Sequence, residues 1–372
     1  MPNAISRYKA QSHTPKVSSL ALQETHSQVK PGALAVPERS GFINYGVTFS
    51  LSEQKSLIMD FQRNFSPSKS MRCCGRTAIS GERHTLKGYE TINGDLSAGW
   101  RGTTSCKAIL CPSCGPSIVR ERNRVITNSL VSAQKLGYTI LFLTLTTPKG
   151  LSLSETNKIL NTAYSETINK GLRGWLRRRG CNVFENVRGM DLTINDNRRH
   201  KYHTHIHAAL VLSEVPKDLK KYIWKRYKNV MKRLGMKVSQ MGFDLQEIED
   251  LRGIESYIIK SYSQLGYELT SKHKSSNKSK GVSFWIRDNA LSVSKKGIAI
   301  YQELLRETKG LRWFSTSKGF KGLSILEDEV YPVEEEKVEV YSVDLSLNLY
   351  YAILEVPLMK VRVGEWLIGY LK

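Results

Sequence analysis

The sequence predicts an α+β protein, with helices packed on an antiparallel sheet and a small cysteine-rich module ahead of it. Three observations carry this reading. Residues 138–147 are a β-branched, aromatic and apolar run that Pro148 ends, the pattern of a central strand. Residues 187–194 and 202–212 are two more strand-like runs, joined by a polar turn through Asn195, Asp196 and Asn197, as in a hairpin. Between the first run and the hairpin, Leu160, Ala163, Tyr164, Ile168, Leu172, Trp175 and Leu176 recur at helical spacing.

The chain of 372 residues is long enough for a sizeable core and for more than one domain, and 40% of it is hydrophobic. Its formal net charge of +22 suits a polyanionic partner, such as nucleic acid or an anionic surface. No apolar run approaches the roughly 18 residues of a membrane span. The N-terminal stretch, with Arg7 and Lys9 among polar residues, lacks the apolar core of a signal peptide. The expectation is a cytoplasmic protein with no membrane partner. In that compartment the six cysteines read as thiols or metal ligands rather than disulfides.

In chain order, residues 1–60 read as a mobile N-terminal arm, with room for a strand and a short helix between Asn44 and Phe65. Residues 61–125 form the cysteine-rich module and the start of a helix. Cys111 and Cys114 make a CxxC knuckle whose tight turn aims two sulfurs at one point. Cys106 and Cys74, or its neighbour Cys73, complete a tetrahedral set for structural Zn²⁺, with His84 as another fourth ligand. The stretch between, with Tyr89 and Trp100, reads as a polar loop that needs such a staple. Cys181 stands apart as a packing residue.

Residues 126–325 form the main domain. A helix runs from Pro116 to about Lys135 and stops at Gly137. The central strand follows, with Thr144 and Thr146 on one face. The helix over 153–178 has Ser154 as N-cap and ends in the basic turn Arg177-Arg178-Arg179 before Gly180. In the second hairpin strand, His203, His205 and His207 alternate. They share one face, while Thr204, Ile206 and Ala208 share the other. Alternate imidazoles on a rigid strand are ligands for a divalent cation. Asp191 on the partner strand adds a carboxylate. With it the set favours Mg²⁺ or Mn²⁺; an all-histidine set leans towards zinc.

A basic helix over 216–234 interleaves Lys225 and Arg226 with Tyr222, Trp224 and Tyr227, a pattern suited to phosphate contact and base stacking. A short strand spans Gly242 to Ile248. Next, Tyr257 and Lys260 share one helical face. A phenol can attack phosphorus, and an adjacent ammonium stabilises the charge that develops. A basic loop spans 270–280, a helix 296–309, and Arg312 to Gly319, including Lys318, is again basic. Past Glu327 the charge reverses, which marks 326–372 as an acidic boundary and a C-terminal tail with strand potential.

Taken in order, these stretches resemble the plasmid rolling-circle replication initiators, a branch of the histidine–hydrophobic–histidine (HUH) endonucleases. Cys106 to Cys114 is similar to that family's cysteine block, and Phe142 to Pro148 to its first motif. His203-Thr-His205-Ile-His207 resembles its second motif, whose metal pair falls on His205 and His207. Asp191 sits where the family carries an acidic third ligand. Tyr257-Ile-Ile-Lys260 resembles the third motif, with Tyr257 as nucleophile. The likeness covers about 70 to 322. One branch of the family has a Glu four residues before the nucleophile; here Gly253 stands there, leaving Glu249, Asp250 and Glu255 as candidate bases. Ser261, not a second Tyr, lies four residues after Tyr257.

The resemblance implies a ferredoxin-like nuclease core that nicks single-stranded or supercoiled origin DNA through a 5′-phosphotyrosine link. A host helicase and DNA polymerase are the implied partners. A transposase or mobilisation relaxase with the same chemistry is one alternative. A non-enzymatic zinc-containing DNA-binding regulator is another.

Overall fold

The computed structural model describes residues 51–77, 79, 83–90, 94–147, 152–194, 202–249, 251, 280–323, 338–356 and 359–371. Tyr257, Lys260 and the candidate bases Asp250 and Glu255 lie outside them, as does the 270–279 part of the basic loop. The architecture is mixed α+β, with two antiparallel sheets.

The first part of the chain forms helices α1 (Leu51–Phe65) and α2 (Lys69–Cys73), strands β1 (His84–Glu90) and β2 (Leu96–Arg101), and helix α3 (Gly115–Lys135). Residues 51–60, assigned to a mobile arm from sequence, are the front of α1. Ile58 and Phe61 of this helix are buried, Phe61 against Tyr301, so tertiary packing decides what local polarity does not. The expected polar loop between the cysteines is instead the hairpin β1–β2. It is completed by β9 (Val338–Leu345), which pairs with β1 from His84↔Leu345 to Glu90↔Val338. A strand from the C-terminal stretch thus closes the sheet of the cysteine module. Acidic residues of that stretch meet basic ones of the module, in Lys87–Glu339 at 2.6 Å and Arg83–Asp344 at 2.9 Å. Residues 324–337, where the charge reverses, lie outside the described residues; the pairs made by Glu339 and Asp344 are cross-strand complementarity of the exposed kind that contributes little to stability.

The main sheet follows from β3 (Thr139–Thr146), β4 (Phe184–Ile194), β5 (Tyr202–Leu212) and β6 (Phe243–Glu247). Helices α4 (Leu153–Tyr164) and α5 (Leu172–Arg177) fall between the first two strands, and α6 (Leu219–Arg233) between the last two. The lateral order is β6-β3-β5-β4, so the four strands stand 4-1-3-2 and every neighbouring pair is antiparallel. Two short strands, β7 (Lys280–Gly281) and β8 (Phe314–Thr316), pair with opposite ends of the outer edge of β4. Further helices are α7 (Val282–Leu291), α8 (Lys295–Glu307), α9 (Leu347–Glu355) and α10 (Met359–Leu371). Among the described residues no helix is long and apolar enough to cross a membrane.

The predicted single helix over 153–178 is broken. Its cap is Ser152 rather than Ser154: Ser152 Oγ accepts from Glu155 N–H at 3.2 Å, and Glu155 Oε2 accepts from Ser152 N–H at 3.0 Å. This reciprocal pair is a capping box. A π turn at Ser165–Asn169 then interrupts the helix, with Lys170 N–H reaching the Ser165 carbonyl five residues back. Arg226 of α6 donates to the Glu166 carbonyl inside that turn at 3.0 Å.

Candidate functional site

The burial of β5 divides it in two. From Tyr202 to His207 it alternates, with Thr204 and Ile206 fully buried and the three histidines half-exposed. From Ala208 to Leu212 every residue is buried. Helices α4 to α6 cover the Ile206 side. There Tyr164 donates to Asn186 Oδ1, Arg188 lies over the Tyr164 ring, and Trp224 and Tyr227 pack on Phe243. The histidines therefore face away from that helical layer, as their parity predicts.

Cross-strand register assembles the histidine face. Thr144 lies opposite His207 and Thr146 opposite His205 on β3; Asp191 lies opposite His205 and Gly189 opposite His207 on β4. The two threonines hold the rings: Thr146 Oγ1 is 2.8 Å from His205 Nδ1 and Thr144 Oγ1 is 3.1 Å from His207 Nδ1. The His205 and His207 rings stack at 5.9 Å with planes 16° apart, and Phe142 stacks on His207 at 5.5 Å. With Nδ1 engaged, the other nitrogen of His207, Nε2, faces Asp191 Oδ2 at 3.7 Å. Two donors that each sit about 2.1 Å from one small cation are spaced about 3–4 Å apart, so this pair fits an ion between them. His203 packs edge-on against His205 at 4.2 Å. The face does not bring three donor atoms within 4.8 Å of one another among the described residues.

Groups that hydrogen-bond the second ring nitrogen of a metal-binding imidazole fix its tautomer and orientation, and their loss typically weakens metal binding by roughly 10–100-fold. If the histidine face holds Mn²⁺, Thr146→Val should lower that affinity by roughly 10–100-fold in titration calorimetry while a thermal melt stays nearly unchanged.

The four cysteines form a tighter group. Cys74, Cys106, Cys111 and Cys114 hold their sulfurs within 4.8 Å of one another and can hold a metal such as zinc. The Cys74–Cys114, Cys111–Cys74 and Cys106–Cys114 separations are 3.4, 3.6 and 3.7 Å. A tetrahedron with Zn–S bonds of about 2.3 Å places sulfurs about 3.8 Å apart. Cys74 rather than Cys73 supplies the fourth sulfur. His84, the other candidate, is buried in β1 with its ring edge-on to Tyr350 at 4.3 Å. The thiols hydrogen-bond one another, and the bond with Cys106 is the main cause that draws Cys114 well below the ordinary thiol range.

Local structure explains the convergence. Cys74 caps α2, and Cys114 caps α3. Gly115 sits where a Cβ would lie 2.3 Å from the Ile109 carbonyl oxygen, so the knuckle closes only with glycine there. Sequence reasoning missed the supporting groups. Gln62 of α1 donates to Cys111 Sγ at 3.4 Å and to the Met71 carbonyl at 2.7 Å. Tyr350 and Lys360 both donate to the Gly75 carbonyl, at 2.8 and 3.0 Å, tying α9 and α10 to the residue after Cys74. Lys360 also lies 5.0 Å from the Trp100 ring centre, and burial lowers its pKa to about 8. No local pattern marks such long-range partners.

The six cations singled out for DNA separate. Arg177, Arg178, Lys225 and Arg226 ride on the helices behind the sheet, on the side opposite the histidines. Arg226 is committed to the π turn, where a Cβ on Gly171 would collide with it. Arg312 and Lys318 are exposed and flank β8, beside β4. Comparison of the chain with protein-family models, with curated proteins and with solved structures gave no match.

Proposed function

We propose that the protein is a metal-dependent DNA endonuclease of the rolling-circle initiator type, using His205, His207 and Asp191, with His203 beside them, as the cation site and Tyr257 as nucleophile. The observation that carries this reading is the histidine face itself: alternate imidazoles, Nδ1 atoms held by Thr144 and Thr146, and a carboxylate 3.7 Å from His207 Nε2. The β-α-β-β-α-β order with strands 4-1-3-2 supports a ferredoxin-like core. The net charge of +22 supports a nucleic-acid substrate.

A bound Mg²⁺ or Mn²⁺ would supply Lewis-acid polarisation of the scissile phosphate. The chain's own residues do the rest. The Tyr257 hydroxyl attacks phosphorus, forming a 5′-phosphotyrosine bond and releasing a 3′-hydroxyl, and Lys260 stabilises the charge. That 3′ end suits extension by a host polymerase, with a host helicase opening the duplex. The cysteine group holds Zn²⁺ in a structural role.

The test is incubation of the purified protein with supercoiled and single-stranded DNA, with and without Mn²⁺, resolved for nicked product and protein–DNA adduct. A Mn²⁺-dependent adduct is expected. The cysteine group favours the second reading, a zinc-containing regulator, which predicts duplex binding and no nicking under any metal. A preference for hairpin or transposon-end substrates would move the same chemistry to a transposase or relaxase.

A further inference from the structure

A groove of about 780 Å³ runs between the cysteine knuckle, α3 and the segment that follows α8. Its lining carries Lys69, Lys107, Arg122, Arg306 and Lys309, and no Asp or Glu. Four of these cations are exposed; the fifth, Arg122, lies half-buried with its guanidinium 5.2 Å from the Phe314 ring centre. Four exposed cations on a groove with no carboxylate in its lining make a positive surface that suits a polyanion.

A second, independent feature points the same way. Lys107, beside the sulfur ligand Cys106, has φ of +52°, the one non-glycine residue with positive φ among the described residues. That conformation disfavours any side chain with a Cβ, and Gly or Asn is the ordinary occupant. A lysine held there at a cost, with its side chain exposed on the groove, suggests that the ammonium itself is used.

Backbone pairing ties one end of the groove's lining to the strand beside the histidines. Leu311 and Trp313 line the groove, and the Trp313 carbonyl accepts from Met190 N–H at 2.8 Å, one residue before Asp191. Phe314 then pairs with Gly189, which pairs with His207. We propose that this groove holds the phosphate backbone of a single DNA strand and leads it onto the histidine face. The partner chosen rests on the nuclease reading; the polyanion site does not.

The experiment measures binding of a fluorescent single-stranded oligonucleotide to the full chain across a salt series, with Lys107→Gly and Lys107→Gly/Lys309→Ala beside the parent. Lys107→Gly removes the charge and relieves the backbone, so it should melt no lower than the parent yet bind about fivefold more weakly at 0.1 M salt. The slope of log affinity against log salt should shrink by roughly 0.7 for each cation removed. Unchanged affinity and slope in both variants would overturn the proposal, even if the protein nicks DNA. A loss of affinity and slope in a protein that never nicks would uphold the groove and sink only the nuclease reading. Parent and variants that differ equally in binding to anionic phospholipid vesicles, but not to DNA, would also overturn it.

Discussion

Tyr257→Phe is expected to abolish covalent attachment to DNA while leaving DNA affinity within a few-fold of the parent. The change removes only the hydroxyl, the group that attacks phosphorus in the proposed mechanism. On the proposed reading, binding rests on the cations, whose charge the change leaves in place. Loss of a nucleophile lowers the chemical step by at least about 10³-fold. A denaturing gel of protein incubated with labelled single-stranded DNA and Mn²⁺ reads the adduct directly, and anisotropy reads the binding. Persistence of the adduct would transfer the role to Tyr262 or Tyr267. Simultaneous loss of binding would mean that the phenol holds DNA rather than attacks it.

Cys111→Ser should have the largest effect on folding. Cys111 is fully buried, its sulfur 3.6 Å from Cys74 and accepting from Gln62. Structural zinc contributes folding free energy outright, of the order of 10 kcal/mol for a complete site, and a three-sulfur remnant forfeits much of it. The α1–α2 turn, the knuckle before α3 and the anchoring of α9 and α10 at Gly75 all converge here, so they should loosen together. Zinc content should fall from about one per chain to near zero, and the melt should broaden and move down by many degrees. A chelator or mild acid should do the same to the parent, since protons compete with the ion for thiolates. Cys181→Ser is the control: that sulfur donates to the Val183 carbonyl at 3.0 Å, far in sequence from the cluster, and its loss should leave zinc in place. One zinc per chain with an unchanged melt in Cys111→Ser would refute the structural role.

What could be read in the sequence follows from how local each signal is. The histidine parity, the hairpin and the central strand are period-2 patterns set by neighbours, whereas the register that sets Asp191 opposite His205 comes from the fold. The sulfur spacing was readable for the same reason, although only the fold separates Cys74 from Cys73. The pairing of β9 with β1 was not readable, because its partners are some 250 residues apart and both strands are mixed in polarity. Nor was the π break at Ser165–Asn169, where a regular apolar stripe is overridden by Arg226 reaching into the turn. The split of the basic residues was hidden too. Charge predicts that a side chain meets solvent, but not which side of the sheet carries it. Hence Arg177 and Lys225 ended behind the histidines, and the groove of Lys69, Lys107 and Lys309 emerged only from the fold.

The most direct measurement is Mn²⁺ binding by the parent and by His205→Ala/His207→Ala, with DNA nicking followed in the same samples. The parent should bind one ion at the histidine face and nick. The double variant should keep its zinc and its melting temperature, lose the Mn²⁺ site, and nick at least about 10³-fold more slowly. A double variant that still binds Mn²⁺ and nicks at the parent rate would contradict the assignment of that face as the catalytic metal site.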